Sequence, residues 1–173
     1  MSRVKPVAAA LAVPSPAPDV TEESDISRIT AIHEAGHAIA AIRAGLVFDT
    51  VSAVPDETHE LDGALYWDEL QESGEIVAPP ELLAVVLLAG PCAEARERRL
   101  RFDRIFTGVG ATEDRESMAT LGLSEDQFVA AVHQTADLVE RDWKLIERVA
   151  DELLVGARLT FEEVEDIVDA SDR

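Results

Sequence analysis

The chain has 173 residues, 35 of them acidic and 15 basic, which gives a formal charge of −20 at pH 7. A surface this negative repels nucleic acid and anionic lipid, and so excludes both as partners. The length suits one domain with a sizeable core, and the single cysteine, Cys92 in an apolar stretch, rules out an internal disulfide and reads as a buried thiol in a reducing, cytoplasmic compartment.

Residues 1–25 are rich in alanine and small residues, and Pro6, Pro14, Pro16 and Pro18 prevent a continuous helix. This predicts a disordered Ala/Pro-rich arm ahead of a domain over 26–173. Arg3 and Lys5 before Val7–Val13 sketch only a faint signal peptide, because the apolar run is short and the acidic segment after it offers a poor cleavage site. No run approaches the roughly twenty apolar residues of a membrane span.

Ser24 or Asp25 can cap a first helix that ends where Ala44-Gly45 supplies a stop. Within it, His33-Glu34-Ala35-Gly36-His37 reads H-E-x-x-H. Positions i and i+4 of a helix lie on one face, so the imidazoles of His33 and His37 can converge on one ion. Zinc suits two neutral imidazoles, and a catalytic zinc takes three protein ligands and keeps its fourth position for water. Glu34 then stands beside that water as a general base. Histidines at this spacing also occur as ordinary packed or solvated residues. The context favours the metal: Ile29, Ile32, Ile39 and Ile42 recur at helical spacing, and, Glu34 apart, the residues between and beside the histidines are uncharged. Gly36 costs about 1 kcal/mol against alanine inside a helix, and therefore signals a close neighbour.

Val47, Phe48, Thr50, Val51 and Val54 predict a strand stopping at Pro55, and Leu61–Trp67 a second, forming a small antiparallel hairpin or sheet. The acidic loop between them reads as solvated, with His59 as an alternative transition-state donor near the metal. Residues 68–75 read as an exposed loop. Pro79-Pro80-Glu81 opens a helix whose Leu82–Ala89 segment is apolar on every side, marking the central buried helix. Glu94, just past that run, needs a partner and reads as a structural hydrogen-bond acceptor. Arg96, Glu97, Arg98, Arg99 and Arg101 read as a solvated face.

Thr107–Gly110 is a predicted turn, and Ala111–Leu121 a short helix carrying Glu113, Asp114 and Glu116. One of these carboxylates can complete the metal site; spacing does not choose among them, and all three also suit a helix N-terminus. Ser124-Glu125-Asp126-Gln127 is a capping box opening a helical region to about Val155, with room for a break at Arg141–Lys144, and Thr160–Glu163 caps a final short helix. His133 reads as an ordinary helix residue. The fold class expected is mainly α with a small β-hairpin or sheet, an α+β arrangement.

Over about Ile29 to Ala170 the sequence resembles the peptidase domain of the FtsH family of zinc proteases. Ala31-Ile32-His33-Glu34-Ala35-Gly36-His37-Ala38 is similar to the family's first zinc helix, and Leu87-Leu88-Ala89-Gly90-Pro91-Cys92-Ala93-Glu94 to its leucine-glycine helix ending in alanine-glutamate. Gly110-Ala111-Thr112-Glu113-Asp114 resembles the glycine-alanine-x-x-aspartate segment, which implies Asp114 as the third zinc ligand. Leu145–Val168 resembles the closing helices. Pro91 departs from the family's usual arginine and Ala95 from a common second glutamate.

The resemblance implies a zincin-like helical peptidase domain. Zinc would be held by His33, His37 and Asp114, with Glu34 catalytic, and a polypeptide substrate would add to the edge of the strand around Gly63–Trp67. Enzymes of that family carry a membrane segment and an ATPase module ahead of this domain; this sequence has neither a span nor a Walker motif, so substrate is expected unfolded or flexible, or brought by a separate AAA-type ATPase or other delivery protein. The family's sixfold ring makes a ring homo-oligomer one expectation and a monomer the other. The competing reading is a non-catalytic zinc-binding adaptor or regulatory module that retains the peptidase fold.

Overall fold

The computed structural model describes residues 20–53, 64–66, 78–107, 111–156 and 158–171. Helix α1 runs over Val20–Arg43, followed by strands β1 (Thr50–Ser52) and β2 (Ala64–Tyr66). Then come α2 (Pro80–Glu97), α3 (Phe102–Phe106), α4 (Thr112–Thr120), α5 (Glu125–Arg141), α6 (Trp143–Gly156), β3 (Arg158–Thr160) and α7 (Phe161–Ser171). The architecture is mainly α with one small antiparallel sheet, as the sequence predicts.

Helix α1 is the axis of the core. Residues 31 to 41 are all buried, and many are alanine, so neighbouring helices can come close on more than one side. It packs against α2 and α6, while α2 also packs on α5, α3 and α4. Gly36 explains how close α1 and α2 approach: a Cβ there would lie 2.7 Å from the carbonyl oxygen of Ala89 and 3.0 Å from the Cβ of Ala93. The neighbour inferred from the sequence is therefore the backbone of α2. Ile32 and Ile39 of α1, Val85 and Leu88 of α2, and Ile146, Val149 and Leu153 of α6 fill the space between.

Both ends of α1 bear on the sequence reading. The helix begins at Val20, earlier than the expected arm boundary at Asp25, because no residue after Pro18 breaks it. The rest of the expected arm lies outside the described residues. At the other end Gly45, at φ +70°, lets the Leu46 N–H reach the Ala41 carbonyl (2.9 Å), which is the predicted stop.

The sheet has the order β2-β1-β3, with Val51 opposite Leu65 on one side and Leu159 on the other. The hairpin was expected, but β3 was not: three residues, two of them polar, carry no readable alternation. Phe48 buries beneath the sheet against Phe161, with ring centroids 5.3 Å apart. Helix α3 was also unforeseen; Phe102 stacks on Phe106 there.

Arg98, Arg99 and Arg101 are exposed, as their alternation suggested, but Arg96 and Glu97 are half-buried and several of these charges have specific partners. Arg96 pairs with Glu140 and lies over the Trp143 ring at 4.5 Å; Glu97 accepts from Arg28 at 2.8 Å; Arg98 reaches Glu94 at 2.7 Å. Each joins α2 to another element or to the site. Charge alternation alone does not reveal the partner across the helix. Both predicted capping boxes form, Ser124 with Gln127 and Thr160 with Glu163.

The break predicted at Arg141–Lys144 falls at Asp142, whose buried carboxylate accepts from Arg43 (3.1 Å) and Arg141 (2.7 Å). It thereby ties the end of α1 to the α5–α6 corner.

Replacing Gly36 by alanine gains helix propensity but forces a Cβ onto a backbone oxygen, so urea melts should show a net loss of about 1–3 kcal/mol. Burial opposes ionisation of Asp142, and the two guanidinium groups overcome it, holding its pKa below the usual carboxylate range. A group depressed on folding stabilises above its unfolded pKa of about 3.9 and loses that contribution as pH falls through the folded value. Stability measured against pH should therefore drop on acidification below about pH 4, and Asp142→Asn should flatten that part of the curve.

Candidate metal centre

Three elements build the site. Helix α1 supplies His33, Glu34 and His37; α2 supplies Glu94, Gly90 and the Val86 carbonyl; α4 supplies Asp114. All four side chains from the sequence reading are buried, His33 at 5%, Glu34 at 3%, His37 at 7% and Asp114 at 6% exposure, where an unsatisfied polar group is costly.

The outer ring nitrogens fix the tautomers. The Nδ1 of His37 lies 2.7 Å from the Val86 carbonyl oxygen, which can only accept, so Nδ1 carries the proton. The Nδ1 of His33 likewise donates to the Glu94 carboxylate at 3.2 Å. Glu94 stays ionised: burial works against it, and His33 and Arg98 outweigh burial to lower its pKa. Glu94 is thus the acceptor that its position beyond the apolar run demanded.

With Nδ1 protonated on both rings, each neutral imidazole turns an Nε2 lone pair inward. The two Nε2 atoms are 3.0 Å apart, and the Asp114 carboxylate oxygens lie 3.3 Å from that of His33 and 3.5 Å from that of His37. Asp114 is also held ionised, its histidine neighbours outweighing burial. Acceptors facing acceptors repel, so the centre of this triad requires a cation, either a proton or a metal ion.

A proton meets the need only in part. Burial opposes charge on His33, yet the bonds to Asp114 and Glu94 outweigh it and raise its pKa to about 10. His37 is pushed the other way, by burial foremost and also by the charge on His33. One imidazole can hold the proton and the other cannot. A metal ion would serve all three groups together. Ligands around a tetrahedral ion with bonds near 2.0–2.1 Å stand about 3.3 Å apart, and the three separations here scatter about that value. His33, His37 and Asp114 therefore form a buried site that can hold a metal ion.

Gly90 shapes the cradle. A Cβ there would collide with the Nε2 of His37 and stand 2.7 Å from the Nε2 of His33. In the sequence Gly90 stood out only within the leucine-glycine segment of the resemblance, although a second glycine inside an apolar helix was the same close-approach signal as Gly36.

Glu34 is next to the triad in sequence, and no hydrogen bond or ion pair among the described residues satisfies its carboxyl group. Burial, with repulsion from Asp114 and in spite of His33, raises its pKa to about 8.

The other candidates separate cleanly. Asp114 turns inward and Glu116 is exposed on the same helix, while His59 and the side chain of Glu113 lie outside the described residues. His133 is an exposed residue of α5, as expected. Cys92 is partly buried, its thiol pushed up to about 11 by burial, and it is not in the metal cluster. Among the described residues no helix is long and apolar enough to cross a membrane. No protein-family model matches the chain, nor does any curated protein.

A divalent transition metal at about 100 times its Kd should raise the unfolding free energy by about 2.7 kcal/mol, and Asp114→Ala should abolish the rise. In calorimetric titrations Glu94→Gln, which releases the His33 ring, should weaken metal binding about 10–100-fold. Gly90→Ala should weaken it at least as much.

Proposed function

We propose that the protein is a zinc metallopeptidase of the FtsH-like type, hydrolysing peptide bonds in unfolded or flexible polypeptides. The observation that carries this reading is a buried carboxylic acid, Glu34, with no hydrogen bond or ion pair among the described residues, beside a triad whose three inward acceptors suit a metal ion. A site built only to stabilise the fold has no use for such a group, which costs energy to bury. This favours catalysis over the adaptor reading, in which Glu34 would be idle.

Zinc suits two imidazoles and a carboxylate, and when bound it supplies a Lewis acid that polarises a carbonyl and acidifies water. The remaining work belongs to the chain. His33, His37 and Asp114 hold the ion, and Glu94 and the Val86 carbonyl lock the imidazoles in the tautomer that turns Nε2 inward. Glu34 accepts a proton from the attacking water and returns it to the departing amine. Burial holds the proton affinity of Glu34 above that of a solvated carboxylate and a neighbouring cation draws it back down, which suits a group that must both take and give a proton.

The substrate would bind extended along β2, which is at one end of the strand order with no strand beyond it among the described residues. Main-chain pairing of this kind tolerates many sequences. It also requires that the substrate chain be already open, so delivery by a separate AAA-type ATPase accords with this reading, in a cytoplasmic setting.

The decisive comparison is cleavage of a permanently unfolded protein by the zinc-loaded chain and by Glu34→Gln. The variant should bind zinc as the parent does and lose about 10²–10⁴-fold in rate. Equal cleavage by both would remove Glu34 from this role, and cleavage by neither would return the adaptor reading to the front.

A further inference from the structure

Away from the metal centre, a cavity of about 640 Å³ opens between the end of α1 and the α5–α6 corner, lined by Arg43, Arg141, Asp142, Lys144, Leu145, Arg148 and Ser171. Four of the chain's fifteen basic residues therefore share one cavity in a protein of charge −20. The single carboxylate in the lining, Asp142, is already engaged by Arg43 and Arg141. Lys144 has no ion pair among the described residues, and Arg148 meets only the hydroxyl of Ser171, at 3.0 Å. With carboxylates more than twice as numerous as cations, two neighbouring cations nonetheless face one cavity without a carboxylate of their own among the described residues.

Their placement also runs against the helix. Lys144 and Arg148 are i and i+4 on α6, where like charges repel. Lys144 is in the first turn, where the helix dipole favours an anion; the carboxylate at that end, Asp142 just ahead of Trp143, is taken up by Arg43 and Arg141. Lys144, Arg148 and the helix end thus add to one positive potential, above a floor that includes the buried Leu145. The cavity is open to solvent and its volume is within the range of small-molecule sites.

We propose that this cavity binds a small dianion or polyanion bearing phosphate or carboxylate groups, held by Lys144, Arg148 and Arg141. Guanidinium groups match either anion with paired N–H donors, and the lysine adds a point charge. The site is independent of the metal centre and of the activity proposed above.

The test is titration of the full chain, followed by ¹⁵N–¹H spectra, with phenyl phosphate and separately with glutarate at constant ionic strength. Both are small dianions that bind divalent metals weakly, so responses are not confused with metal removal. Saturable shifts centred on residues 141–148, with at least one of the two, are expected. The stronger probe identifies the anion as phosphate or carboxylate. Lys144→Gln/Arg148→Gln should weaken binding by about tenfold or more, the scale of a lost charge-assisted hydrogen bond, while the spectrum elsewhere stays that of the parent. If the double variant does not fold, Lys144→Gln alone, at an exposed position, carries the same expectation in smaller measure. No shift at these residues with either probe, or equal binding by parent and variant, would overturn the proposal.

Discussion

The structure depends on how closely α1 and α2 approach each other. Two glycines facing opposite ways across that contact set the distance: Gly36 brings α1 onto the Ala89 carbonyl, and Gly90 clears the space that the two imidazoles occupy. A wider separation would carry Val86 and Glu94 out of reach of the rings, and the tautomers would no longer be fixed. Packing and chemistry are therefore one constraint, seen once as interhelical distance and once as the direction of two lone pairs.

Around that contact, polar groups are buried in proportion to their partners. Glu94 is balanced between His33 and Arg98, Asp114 between two imidazoles, and Asp142 between two guanidinium groups. Glu34 is the exception. Where the other buried carboxylates among the described residues are satisfied so fully, an acid left with burial as its main influence is where function is to be sought.

Much of this was readable from the chain because some chemistry has a fixed spacing. His33, Glu34 and His37 declare themselves through the i, i+4 relation, the capping residues through their offsets, and α2 through an unbroken apolar run. Asp114 did not declare itself: Glu113 and Glu116 shared its helix, and resemblance to a family, not spacing, singled it out. The partner of His37 could not be read at all, since the Val86 carbonyl is backbone and leaves no mark on side-chain identity. Arg96 was misjudged for a related reason, because its partners Glu140 and Trp143 come from helices whose docking the local pattern does not encode. What depends on neighbours along one helix was legible, and what depends on a second element was mostly hidden.

The order of the ligands along the chain has a consequence during synthesis. Domains grow from the N-terminus, so His33 and His37 leave the ribosome well before Asp114 on α4. A nascent helix could offer an ion two imidazoles but neither the third ligand nor the clamp of Glu94 and Val86. Tight grip on a metal would then arrive only when α4 has docked, late in the maturation of the domain. Under the activity proposed above, a centre assembled in this order would stay inert while its own unfolded chain is the nearest polypeptide within reach.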